Sequence, residues 1–75
     1  SNPEKAIEYY LKAAKYLDKY ADAFFNVGNT YCFKLMDYQN AIQYYLKALQ
    51  MDPLYVAAYE NLSSAFRFIH MHRQA

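Results

Sequence analysis

Residues 41–48 decide the fold: they read AIQYYLKA, and residues 6–13 read AIEYYLKA, which differs only where Glu8 stands for Gln43. The two blocks are 35 residues apart, and further matches at the same offset continue towards the end of the chain. A repeat of this length is typical of a stacked array, in which each unit buries a face only against its neighbours. The sequence therefore predicts a repeat architecture.

The composition favours one small helical unit. Of the 75 residues, 56% are apolar and 20% aromatic, far more than a disordered segment carries. One Gly and two Pro leave few turn positions, which favours helices over a many-stranded sheet. A formal charge of +1 provides no basic surface for nucleic acid, so we expect no nucleic-acid partner. A chain of this size also leaves little room for an active-site cavity beside its core.

The chemistry-bearing residues do not form a recognisable site. We find no nucleophile–base pair, phosphate-binding loop or metal-ligand set, so we expect no enzymatic activity, cofactor or metal. His70 and His72 are two residues apart, which separates them on a helix, and we expect them in a turn. Cys32 cannot form an internal disulfide, which favours a reducing, cytoplasmic location. No apolar run is long enough to insert into a membrane, and no signal peptide is visible. The chain opens at Ser1 without a Met, so we expect it to be part of a longer protein.

Start and stop signals predict four helices and the beginning of a fifth. Asn2 can cap the first helix, and Pro3 suits its first turn. Asp37 is a plausible cap for the third helix, and Asp52-Pro53 closes it because the residue before Pro is disfavoured in a helix. The first helix is predicted over residues 3 to 17 or 18, and the second begins at about residue 21. The third is predicted over residues 38–51 and the fourth over about 54–69. Residues 70–75 are predicted to form a turn and the start of a fifth helix.

Gly28 lies in the middle of the predicted second helix, where Gly costs roughly 0.8–1.0 kcal/mol relative to Ala. We therefore expect it to mark a close approach between two helices. The turn after this helix is expected at Leu35-Met36. The helices alternate between two kinds, in the order B-A-B-A, and their short connections predict an all-α fold of antiparallel hairpins stacked side by side.

The central unit carries an ordered set of small, aromatic and aliphatic residues. In its first helix these are Phe24, Val27-Gly28 and Tyr31, and in its second they are Ala41, Tyr45 and Ala48, followed by Pro53. This order resembles the tetratricopeptide repeat, which implies an α-solenoid of helical hairpins. The unit has one residue more than the 34 of that family, and we place the extra residue at Leu35-Met36.

The resemblance divides nearly the whole chain into three parts. Residues 3–20 are similar to the second helix of a preceding repeat, residues 21–55 to a complete repeat, and residues 56–75 to the first helix of a following repeat. The tyrosines at positions 9, 10, 44 and 45 are interpreted as packing residues. The structural core implied by the resemblance is Ala6, Tyr10, Ala13, Phe24, Val27, Gly28, Tyr31, Ala41, Tyr45, Ala48, Pro53, Tyr59, Leu62 and Phe66.

Proteins of this family usually bind a peptide segment or a partner protein on the concave face lined by their first helices. Helical periodicity places a polar stripe opposite the inward residues of the same helices. The expected binding residues are Asp22, Asn26, Asn29, Phe33, Asn61, Ser64, Arg67 and Phe68. Asn26 and Asn61 are similar to an Asn ladder with which some members hold peptides, since the amide both donates and accepts. The alternative is that Asn is merely tolerated on a solvated helix face.

Two functions follow from these patterns. The first is a protein–protein interaction scaffold that works through the polar stripe. The second is self-association, because the last full helix carries Tyr59, Leu62 and Phe66 without a complete partner helix after it, whereas terminal repeats normally need a polar outer face. Docking the end of one copy on the start of the next would rebuild a complete repeat. Such head-to-tail contact gives a ring or an open filament unless a swap closes it as a dimer. In a longer protein, the same surfaces would instead contact the neighbouring repeats.

Overall fold

A computed structural model describes residues 2–14 and 20–74, with the backbone alone for residues 10, 13, 14 and 72–74. Within these residues the chain forms four α-helices and no strand, which confirms the all-α prediction. The elements are α1 (Pro3–Ala14), α2 (Tyr20–Asn29), a π-helical segment (Thr30–Lys34) that prolongs α2, α3 (Tyr38–Met51) and α4 (Val56–Gln74). The Cα atoms span 42 × 30 × 14 Å, so the helices form a slab about two helices thick.

The N-terminus of α1 is capped as the sequence predicts. Oδ1 of Asn2 accepts hydrogen bonds from the backbone N–H groups of Glu4 and Lys5, at 3.0 and 3.3 Å. These bonds satisfy two of the donors that a helix leaves unpaired at its start. The predicted end of this helix near residue 17 or 18 lies outside the described residues.

Both predicted boundaries of α3 are confirmed. The Asp37 carboxylate accepts from the backbone N–H of Asn40 at 3.2 Å and from its side-chain amide at 2.7 Å. At the other end, the N–H of Asp52 donates to the carbonyl of Ala48 at 2.9 Å, and Pro53 follows at once. Because the cap and the Pro are both local signals, this helix was the easiest to delimit from sequence.

The sequence predicted that the extra residue of the 35-residue repeat lies in the turn at Leu35-Met36. In the structure it lies inside a helix instead. The N–H of Leu35 donates to the carbonyl of Thr30 at 3.1 Å, an i→i+5 bond whose ring holds one residue more than an α-helical bond. The Thr30 hydroxyl also donates to the carbonyl of Asn26 at 3.0 Å, and such bonds to residue i−4 bend helices. The turn itself is made by Met36, whose φ of 53° is left-handed.

Gly28 allows α2 and α3 to approach closely, as its position in the helix predicts. A Cβ built on Gly28 would lie 2.7 Å from both Cδ1 and Cε1 of Tyr45. Tyr45 is fully buried and is the largest such side chain among the described residues. Val27, Ala41 and Ala48 are also fully buried and complete the core between these two helices.

The predicted turn and fifth helix over residues 70–75 are wrong, because α4 continues to Gln74. In the first repeat, Met36 ends one helix and Asp37 caps the next. The position 35 residues after Asp37 holds His72, which is not among the favoured helix caps. Neither Gly nor Pro occurs between Ile69 and Gln74, so no local signal stops the helix.

Several predicted core positions are exposed. Tyr59 and Phe66 expose 50% and 54% of their surface, because no described helix covers this side of α4, and Pro53 is an exposed boundary residue. Tyr9, interpreted as a packing residue, is 71% exposed. Ala6, Phe24, Tyr31 and Leu62 are partly buried. The side chains of residues 10 and 13 lie outside the described part of the structure.

Candidate functional site

The residues predicted for the binding face lie on α2 and its π segment and on α4, and two direct side-chain contacts join these elements. The amide of Asn61 donates to Oδ1 of Asn29 at 2.8 Å. The rings of Phe33 and Phe68 meet edge to face, with centroids 6.5 Å apart at 83°. We call the surface formed by these elements the α2–α4 face, defined by the eight predicted residues Asp22, Asn26, Asn29, Phe33, Asn61, Ser64, Arg67 and Phe68.

Asn29 is the polar centre of this face. Its Oδ1 accepts from the hydroxyl of Tyr45 at 2.6 Å and from the amide of Asn61 at 2.8 Å. Two donors saturate the lone pairs of an amide oxygen. Asn29 therefore ties α2 to both α3 and α4, and one N–H of Asn61 is already used in a bond between α2 and α4.

Asn26 lies beside a depression in the surface instead of in this network. The depression has a volume of about 260 Å³ and is lined by Asn26, Asn29, Thr30, Phe33 and Lys34. The side-chain amide of Asn26 makes no hydrogen bond to any described residue, and Phe33 is 52% exposed. Small-molecule sites usually measure about 300–1,000 Å³. This depression is smaller, and its size suits one side chain of a bound protein segment.

Sequence periodicity missed Thr30 and Lys34 as lining residues. An ideal α-helix would turn Lys34 away from the stripe that contains Asn26 and Phe33. The wider π turn rotates less per residue, so Lys34 stays beside that stripe. The only sequence signal for this change was the one residue in excess of the 34-residue period.

The remaining predicted residues are held by their own contacts. Asp22 accepts a hydrogen bond from the hydroxyl of Tyr55 at 2.6 Å, and burial together with this bond raises the pKa of Tyr55 to about 12. Ser64 donates to the carbonyl of Glu60 at 3.2 Å and accepts from the Arg67 guanidinium at 3.1 Å. Neither Ser64 nor Arg67 lines the depression.

Phe68 has a mixed role. Its ring packs on Tyr38, with centroids 5.3 Å apart, and on the buried cluster that contains Cys32 and Tyr45. It therefore supports the helix packing as well as the edge of the α2–α4 face.

Cys32 is a core residue with no reactive character. Only 1% of its surface is exposed. Burial raises the pKa of its thiol, and a hydrogen bond with Tyr45 offsets part of that effect. The thiolate, which is the reactive form, is thus disfavoured.

Within residues 2–14 and 20–74, no group of three or more His, Cys, Asp or Glu side chains is placed to hold a metal ion. None of the helices described for this chain combines the length and apolar character needed to cross a membrane.

A family model for the tetratricopeptide repeat matches residues 21–53. That span contains α2 from its second residue, the π segment, α3 and the Asp52-Pro53 boundary. No curated protein matches the chain significantly.

Proposed function

Because residues 21–53 place this chain in the tetratricopeptide-repeat family, we propose that it is a scaffold that binds a peptide segment or partner protein on the α2–α4 face. Members of this family typically act as non-enzymatic interaction modules. The observation that carries this proposal is the depression between the Asn26 amide and the half-exposed Phe33 ring. It offers both a polar and an apolar contact in a recess of side-chain size.

The lining residues suggest how an extended segment binds. The Asn26 amide offers one acceptor and two donors, which match the carbonyl and N–H of a peptide backbone whatever its sequence. Phe33 offers apolar surface to one side chain of the segment. Lys34, which is exposed at the rim, favours an acidic neighbour and so helps to set the direction of binding.

The proposed partner is protein and not nucleic acid, since the formal charge is only +1. We also propose that the chain works without a cofactor or metal. A cytoplasmic setting is proposed from the single Cys of the sequence.

Peptides selected from a random displayed library provide the test. Their dissociation constants would be measured for the unmodified chain and for the variants Asn26→Ala and Phe33→Ala. We expect binding to weaken about 2- to 10-fold without the Asn26 amide and about tenfold without the Phe33 ring. Gln43→Ala, at an exposed position on α3, is the control and should change binding less than twofold. Peptides that bind both variants as tightly as the unmodified chain would show that the segment lies elsewhere.

Self-association is a second candidate, favoured by exposed apolar side chains at both ends of the slab. Tyr59 and Phe66 on α4 and Tyr9 on α1 are each at least half exposed. Clusters of exposed apolar residues often mark protein contacts. Sedimentation velocity from micromolar to millimolar concentration tests this candidate, and a single monomeric species throughout would reject it.

A further inference from the structure

We propose that α1 of a second copy packs on α4 in the way that α3 packs on α2 within one chain, so that copies join head to tail. This inference rests on the proposed self-association and specifies its register.

The contact between α2 and α3 supplies the template. The ring of Tyr44 lies between one ring of α2 and one of the π segment, with centroids 6.1 Å from Phe24 and 5.6 Å from Tyr31. The Tyr44 and Tyr31 rings are stacked, with their planes at 17°. Nζ of Lys47 lies 4.9 Å from the centroid of Tyr44 and 5.8 Å from that of Phe24, which adds a cation–π contact.

The chain carries a second set of residues that can make the same contact. The counterparts, each 35 residues away, are Tyr9 for Tyr44, Lys12 for Lys47, Tyr59 for Phe24 and Phe66 for Tyr31. In the template the three rings are partly buried, whereas Tyr9, Tyr59 and Phe66 are 71%, 50% and 54% exposed. Docking would therefore place Tyr9 of one copy between Tyr59 and Phe66 of another.

The same register continues an interface that already exists in the chain. Phe33 meets Phe68 between α2 and α4. Shifting this pair by one repeat brings Phe68 of the first copy to Phe33 of the second, and Phe33 has 52% of its surface available.

Two positions weaken the joint relative to its template: Arg67 takes the place of Cys32, which is only 1% exposed, and Ser63 takes the place of Gly28. Gly28 leaves room for the Tyr45 ring, and a Cβ there would approach two ring carbons to 2.7 Å. The corresponding position of α4 holds Ser63, and the corresponding position of α1 holds Tyr10. The Cβ of Ser63 keeps the incoming ring farther from the helix, so association is reversible and depends on concentration. Because the two surfaces differ, repetition of the joint gives a ring or an open array.

Two blocked variants test the register in sedimentation velocity experiments on the whole chain. Tyr9→Glu blocks the α1 surface and Tyr59→Glu blocks the α4 surface. We expect each variant alone to stay monomeric, while the unmodified chain and the control Gln43→Glu, at an exposed position on α3, associate as concentration rises. An equimolar mixture of the two variants should form a dimer and nothing larger, because it holds one intact α4 surface and one intact α1 surface.

Ser63 provides a second readout that adds no charge. Ser63→Gly should lower the dissociation constant about tenfold by removing the obstructing Cβ, and Ser63→Ala, which keeps it, should not. If the unmodified chain associates but the mixture stays monomeric, or Ser63→Gly does not tighten association, the register is wrong and self-association uses another surface. If the unmodified chain is monomeric up to millimolar concentration, both the register and self-association are rejected.

Discussion

Replacing Gly28 by Ala tests whether the close approach of α2 to α3 stabilises the repeat. The added Cβ would lie 2.7 Å from Cδ1 and Cε1 of Tyr45, about 0.8 Å closer than the shortest favourable carbon–carbon separation. The ring cannot swing away easily, because Tyr45 is fully buried and its hydroxyl bonds to Asn29 at 2.6 Å. The clash must therefore be relieved by moving α2 relative to α3.

Two opposing terms set the size of the effect. Overpacking a core typically costs about 1–3 kcal/mol, and two short contacts with a fixed ring place this site in the upper half of that range. Replacing a mid-helix Gly by Ala stabilises the helix by about 0.8–1.0 kcal/mol. The free energy of unfolding should thus fall by about 1–2 kcal/mol, with a loss in Tm of about 4–8 °C for each kcal/mol in a domain of this size.

The assay is urea unfolding followed by far-ultraviolet circular dichroism at micromolar concentration. Ser63→Ala is the matched control, because Ser63 is exposed at the equivalent position of α4 and this change should alter stability by less than about 0.5 kcal/mol. Combining Gly28→Ala with Tyr45→Leu should reduce the cost of the first change, since the ring that clashes is gone. A Gly28→Ala variant that is as stable as the unmodified chain, or more stable, would refute this account of the helix contact.

Three further predictions concern single polar contacts. Tyr45→Phe removes the hydroxyl that donates to Asn29, and the urea midpoint should show a loss of about 1 kcal/mol; an unchanged midpoint would mean that the bond adds nothing. Asp37→Ala removes the cap of α3 and should cost about 1 kcal/mol in the same assay, whereas an equal loss for exposed Gln43→Ala would argue against a capping effect. The pKa of Tyr55 is raised from its usual 10.0 to about 12 by burial and by its bond to Asp22. The stability that the protonated Tyr55 hydroxyl contributes to the folded chain is therefore complete below pH 10. It is lost as pH rises towards 12, because the unfolded chain there releases a proton that the folded chain keeps, and Tyr55→Phe should show a smaller fall than the unmodified chain.

The helical repeat could be predicted because its signals are local. Asp37 and Pro53 delimit α3 through the chemistry of a cap and of a residue without an N–H, and neither depends on distant contacts. Gly28 could be placed at a close helix contact because a Gly in a helix interior is otherwise unfavourable. The end of α4 was mispredicted at residues 70–75, where neither Gly nor Pro stops the helix before Gln74.

The candidate site was only half visible in the sequence. Periodicity placed Asn26, Asn29 and Phe33 on one stripe, and all three line the depression. It could not separate their roles, because the contact between Asn29 and Asn61 joins residues 32 apart and depends on how closely α2 and α4 pack. The contribution of Lys34 depends on the π turn, whose wider hydrogen-bond ring is not encoded by any single residue type.

The sequence by itself determined the 35-residue repeat, the all-α class, the ends of α3 and the stripe that holds Asn26, Asn29 and Phe33. These properties follow from backbone preferences and helical periodicity, which act over a few residues. Only the tertiary structure decided that Asn29 holds α3 and α4 together, that Lys34 reaches the depression, and that Tyr59 and Phe66 stay exposed. The reason is physical: such outcomes depend on distances between helices, and a pattern along one helix carries no information about those distances.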